Sequence, residues 1–168
     1  EEATLVFSGQ IDPEEAFALA QTAFGDWKSS PSSARGLKPA GEPANRRVIV
    51  IDMPGVSQAG VYLGARSISR KDASYHPLLV ANSVLGGGFS GRLNRIIRVQ
   101  RGLAYYALSG FLPREDEGIA MAFTQTRNEG VPEVIEVMLA EIGRLSNEPV
   151  APEEMETRRA ALVGGFAR

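Results

Sequence analysis

The stretch "LGGGFSGRLNRIIRVQRGLAYY", residues 85–106, decides how this sequence is read. It joins a glycine run of the form G-x-G-x-x-G (Gly86, Gly88, Gly91) to a ladder of arginines and then to two adjacent tyrosines, Tyr105 and Tyr106. Such a run cradles a dinucleotide when a strand precedes it, a helix follows, and an acid lies about twenty residues further on. Glu115 and Asp116 stand near that distance. The context argues the other way. Leu78, Asn82 and Leu85 follow helical spacing behind Pro77, so a helix precedes the glycines. The helix after them has room for only about ten residues before Gly102, short even for the tightest βαβ crossover. No Gly-Lys-Ser/Thr follows, which removes the Walker phosphate loop. Read by itself, the stretch is a joint between two helices. Ser90 caps the second, Leu93, Ile96 and Ile97 form its core side, the arginines form a solvated face, and Gly102 ends it.

Outward from this stretch, "AYYALSGFL" and "GIAMAFTQT" flank the acidic turn "PREDEG" and predict an antiparallel hairpin. "QAGVYLGARS" alternates with a period of two, and "RRVIVIDM" is a continuous apolar run, so the two predict neighbouring strands. "ATLVFSG" (Ala3–Gly9) predicts a further strand. "DPEEAFALAQTAFGDW" predicts a helix, with Asp12 as N-cap, Pro13 at the first position and Glu15 completing a capping box. Phe17, Ala20 and Phe24 would be its buried stripe. Residues 29–45, rich in Ser, Pro, Gly and Ala, predict a loop within one domain. "VPEVIEVMLAEIGRL" and "APEEMETRRAALVGGF" predict two closing helices, the first buried along Ile135, Met138, Ile142 and Leu145. The order β-α-β-β-α-α-β-β-α-α argues for an α+β fold, a mainly antiparallel sheet with helices packed on it.

Composition sets outer bounds. The 168 residues form a single domain (1–168) with a formal net charge of −2, which gives no basic face for nucleic acid. No apolar run approaches the ~20 residues a membrane span needs. Cysteine is absent, which removes disulfides, thiolate catalysis and thiolate zinc sites together. The start at Glu1, without methionine, and the stop at "ALVGGFAR" suggest a piece of a longer chain. Leu162, Val163 and Phe166 there lack a partner helix.

The glycine–arginine–tyrosine stretch resembles the signature of the second structural unit of M16 metallopeptidases, the pitrilysin, insulin-degrading enzyme and mitochondrial processing peptidase family. "ATLVFSGQIDPEEAFALAQTAFGDW" is similar to that unit's opening strand and capped helix, and "PEEMETRRAALVGGF" to its closing helix. The resemblance therefore runs through nearly the whole chain, in order. It implies the non-zinc, C-terminal unit of a zinc peptidase, half of a clamshell around an extended peptide.

The family's zinc motif is His-x-x-Glu-His with a distant glutamate, and a catalytic zinc needs about three protein ligands. The chain has one histidine, His76, followed by "PLLV". These residues cannot build the site, so zinc would belong to a partner domain or subunit, and the fragment alone is expected to bind no zinc and cut nothing. His76 reads as a surface or helix-start residue. The resemblance further implies an arginine and a tyrosine seven positions apart that hydrogen-bond the substrate backbone. That spacing selects Arg98 and Tyr105, with Gly86, Gly87, Gly88, Phe89 and Ser90 as a substrate-facing loop. Arg95, Arg101 and Tyr106 remain alternatives for these roles. Val99 and Gln100 replace the family's usual charged residues, Gly91 replaces a serine, and Tyr106 stands where a small residue is common. A scaffold of the same fold, never meeting substrate, is the competing function.

Overall fold

The computed structural model describes residues 4–28, 41 and 46–166. The chain divides into two compact units, residues 1–50 and 51–168.

The first unit holds α1 (Pro13–Phe24). Asp12 caps it, its Oδ1 accepting from the Glu14 N–H at 2.8 Å, and Pro13 occupies the first turn, where its missing N–H costs nothing. The expected buried stripe is not there. Phe17 is 74% and Phe24 49% exposed, and Ala16 is the buried residue of the helix. Residues 4–8 were expected as a strand and pair with none among the described residues. The loop expected over 29–45 lies outside the described residues apart from Gly41.

The strand expected over "RRVIVIDM" is likewise absent: residues 46–53 have no ladder partner among the described residues. Val48, Val50 and Ile51 are 79–86% exposed. Apolar, β-branched sequence makes a strand only where a neighbour completes its hydrogen bonds and covers a face.

The second unit is an antiparallel sheet with helices on one face. β1 (Gln58–Ser67), β2 (Ala104–Pro113) and β3 (Gly118–Arg127) run in the order β1–β3–β2. The α+β class holds, and the β2–β3 hairpin closes over the "PREDEG" turn as its sequence foretells. Alternation sets the faces. Val61, Thr124 and Ala107 lie abreast across the three strands and point into the core with Ala122. Leu93, Ile97, Leu103, Val134, Val137 and Met138 pack on them. On the other face Tyr62 stacks on Phe123 and Tyr106 meets the same ring edge-on, each at 6.1 Å between centroids.

The α-helices that accompany this sheet are α2 (Tyr75–Leu85), the single turn α3 (Arg92–Asn94), α4 (Val131–Asn147) and α5 (Pro152–Phe166), with a π-helical turn over Arg95–Gln100 and a 3-10 turn over Asn128–Gly130. His76 is exposed in the first turn of α2. In α4 the buried side is Val134, Val137, Met138 and Glu141, rotated from the expected stripe; Ile142 is 36% exposed. The reason is a charge. Glu141 faces inward because Arg92 and Arg144 bracket it, at 4.0 and 2.9 Å. α5 buries none of its residues, and Val163 and Phe166 are exposed.

Candidate functional site

The glycine loop is fixed at its Gly86 end. Asn82 O accepts from the N–H groups of Gly86 and Gly87, at 2.9 and 2.8 Å, and Gly86 O accepts from Ser109 N of β2 at 2.8 Å. A Cβ on Gly86 would fall 2.7 Å from Ser109 N, and one on Gly91 would fall 2.6 Å from the Gly86 Cα. These two glycines let backbone meet backbone. Gly88 has open space around it, and Gly87 is exposed.

Ser90 does not cap the next helix; Gly91 takes that position. The Ser90 hydroxyl instead accepts from Arg158 of α5 at 2.6 Å, and its carbonyl accepts from the same guanidinium. The long reach of an arginine has displaced a local cap.

The arginines have separate fates, not a common solvated face. Arg92 is 6% exposed and forks onto Glu154 of α5, Nε to Oε1 at 3.0 Å and Nη2 to Oε2 at 2.6 Å. That bond is the first cause holding the Glu154 carboxyl below its ordinary range and the Arg92 guanidinium above its own. Arg101 pairs with Glu133 at 2.8 Å, and Arg95 is exposed. The Arg98 side chain has neither a hydrogen bond nor an ion pair among the described residues. Its guanidinium carbon lies 4.8 Å from the Tyr105 ring centroid and 5.6 Å from that of Phe89.

Two irregularities create this stack. After Asn94 the helix widens to a π-helical turn, Arg95–Gln100, where Arg101 N donates to Ile96 O at 3.0 Å. Gly102, at φ +60°, then reverses the chain in a conformation that side chains disfavour. The strand opens on a bulge. Ala104 faces Thr126 and Ala107 faces Thr124, so β2 carries one extra residue where Tyr105 and Tyr106 stand. Thr126 Oγ1 donates to Leu103 O at 2.6 Å and Thr124 Oγ1 to Tyr106 O, which serves carbonyls the bulge leaves aside. Tyr105 is 77% exposed, whereas Tyr106 is half-buried against Phe123.

The structure thus brings Phe89, Arg98 and Tyr105 together and leaves Gly86 buried behind them. Asn82, Asn94, Ser109, Thr124 and Thr126 support this group; the sequence showed Asn82 only as one position of a helical stripe and gave the other four no role. Asn94 alone carried a signal, as a carboxamide beside Leu93 in an otherwise apolar helix side. The donor set does not fit a zinc ion. His76 is exposed, and among the described residues no three His, Cys, Asp or Glu side chains are grouped to hold a metal. Nor is any described helix long and apolar enough to cross a membrane.

An uncharacterized zinc protease of Mycobacterium leprae is 26% identical over 167 residues, covering 99% of this chain and 38% of its own length. One of Streptomyces coelicolor is 27% identical over 163 residues, 35% of its length. The chain thus spans little more than a third of these curated relatives. The crystal structure of a peptidase M16 inactive domain from Pseudomonas fluorescens is 31% identical, with a TM-score of 0.62 over 67% of this chain and 28% of that one. A protease from Helicobacter pylori, at 18% identity, shares the fold over 95% of this chain and 39% of its own, with a TM-score of 0.68. The family model for the peptidase M16 inactive domain matches residues 1–162, and the chain belongs to that family.

Proposed function

We propose that this chain is the substrate-enclosing, non-zinc unit of an M16-type zinc peptidase, and that Arg98 and Tyr105 grip the peptide backbone beside the bond to be cut. The zinc site comes from another domain or subunit. The observation that supports the reading is the stack itself. The Arg98 guanidinium carbon lies over the Tyr105 ring, 4.8 Å from its centroid, and its N–H groups are spent on no described protein acceptor. A guanidinium offers several fixed donors and keeps its charge, and a phenol offers one donor on a rigid arm. Aimed at a substrate carbonyl, both hold the peptide and stabilise the oxygen as negative charge develops on it.

The test assembles the chain with its zinc-bearing partner and compares Arg98→Ala and Tyr105→Phe with the parent. A fall in kcat of about 10²–10³ is expected for loss of one such donor. Unchanged kcat in both variants overturns the catalytic role and leaves the scaffold reading. A gene for the parent or its neighbour that encodes His-x-x-Glu-His supports the peptidase; absence from both supports the scaffold.

A further inference from the structure

We propose that Asn94 is a positioning residue: its buried carboxamide holds the glycine loop, the arginine helix and the β2 bulge in one register, and thereby sets the Phe89–Arg98–Tyr105 stack. The proposal rests on the reading of Arg98 and Tyr105 as the peptide-gripping pair and adds the group that sets their geometry.

Asn94 is 2% exposed. Its Nδ2 donates to Phe89 O at 2.6 Å, and its Oδ1 accepts from Ala107 N at 3.2 Å. Each partner has a place in the site. Phe89 carries one ring of the stack, and Ala107 is the first residue of β2 back in register after the bulge that holds Tyr105. Asn94 itself ends α3, immediately before the π-helical turn that carries Arg98. One side chain therefore ties the three segments that meet at the stack.

Other polar ties do less. Ser109 and Asn82 fix the Gly86 end of the loop to β2, and Thr124 and Thr126 fix the bulge to β3. None of these reaches the arginine helix.

The chemistry requires a carboxamide. It supplies a donor and an acceptor from one short planar group, whereas aspartate accepts only and leucine does neither. Leu93 and Ile97 beside it and Ala107 opposite are all 0% exposed, so water does not replace a lost bond. Without Asn94 the Ala107 N–H is buried and unpaired, and the strand relieves this by shifting. Tyr105 and Phe89 then move away from Arg98, and displacements near 1 Å at a catalytic group cost about 10²-fold in rate.

The experiment uses the chain assembled with its zinc-bearing partner and compares Asn94→Leu and Asn94→Asp. Stacking on the rings shifts the Arg98 side-chain proton resonances upfield, and that shift is the direct readout. Asn94→Leu is expected to lose it, with kcat falling about tenfold or more and KM changing less. Asn94→Asp keeps the acceptor for Ala107, so it should retain the Tyr105 contribution and lose that of Phe89. It serves as the test if the leucine variant does not fold. In an Arg98→Ala/Tyr105→Phe background neither substitution should lower kcat further. A full upfield shift in a folded variant overturns the proposal, as does an equal fold-loss of kcat in both backgrounds. If the shift disappears while Arg98→Ala and Tyr105→Phe both leave kcat intact, the positioning stands and the functional reading falls.

Discussion

Arg98 lies with its guanidinium carbon 4.8 Å from the centre of the Tyr105 ring, and neither side chain hydrogen-bonds to any described residue. Such a contact contributes about 0.5–1 kcal/mol at an exposed site. That is enough to orient the arginine and little enough for a peptide to compete. Ring and hydroxyl can therefore be separated. Tyr105→Phe should preserve the Arg98 upfield shift and lower kcat, whereas Tyr105→Ala should lower kcat and also lose the Tyr105 part of the shift. Parent-like kcat in Tyr105→Phe would show that the hydroxyl contributes nothing beyond the ring.

The glycines predict a sharp contrast in stability. Gly91→Ala sets a methyl 2.6 Å from the Gly86 Cα, a backbone neighbour that cannot turn aside. We expect a loss of about 1–3 kcal/mol, typical of overpacking. Gly88→Ala, with nothing within 4 Å, should be nearly neutral. Chemical denaturation midpoints of the two variants, measured side by side, check this.

Thr126 is 1% exposed, and its hydroxyl serves the Leu103 carbonyl at 2.6 Å. Thr126→Val keeps the shape and leaves that carbonyl without the bond, at a cost of about 1–3 kcal/mol. Faster amide exchange in β2 should accompany the loss. A variant as stable as the parent would mean the bulge does not depend on this bond.

The Arg92–Glu154 pair gives a pH dependence. The folded-state pKa of Glu154 is lowered, first by its hydrogen bond from Arg92. Its stabilisation is thus fully present above the unfolded carboxylate value of about 4.3 and is lost as pH falls through the depressed folded value. Glu154→Gln should flatten the acid limb of a stability–pH curve and leave its slope between pH 6 and 8 unchanged. At neutral pH, Glu154→Ala should cost at most about 3 kcal/mol, the low end for breaking a buried pair, because Glu154 is only half-buried and Glu141 stays 4.0 Å from the buried Arg92. An unaltered acid limb in Glu154→Gln would count against this linkage.

With one histidine and no cysteine, the chain without a partner should hold no stoichiometric zinc after dialysis and cleave no peptide. Elemental analysis of the purified chain decides it. One tightly bound zinc per chain would contradict the donor argument.

Much of the second unit was legible because its signals are local. β1 alternates with a period of two over Gln58–Ser67, and the hairpin announces itself by the acidic turn between two apolar runs. Leu93 and Ile97 are wholly buried, as helical spacing requires. The local reading failed where a distant group intervened. Arg158 took Ser90 from its cap, Arg92 drew Glu141 into the buried side of α4, and residues 4–8 and 46–53 found no ladder among the described residues.

By itself the sequence determined α1, α2, α4 and α5 and the strands β1, β2 and β3, because their periodicity and turn signals are local, while the family resemblance named Arg98 and Tyr105, seven positions apart. Tertiary structure alone decided which arginine meets which ring. That choice depends on a π-helical turn, a left-handed glycine and a strand bulge. The bulge's backbone groups find partners in Asn94, Thr124 and Thr126, which come from other segments and which no local pattern can name.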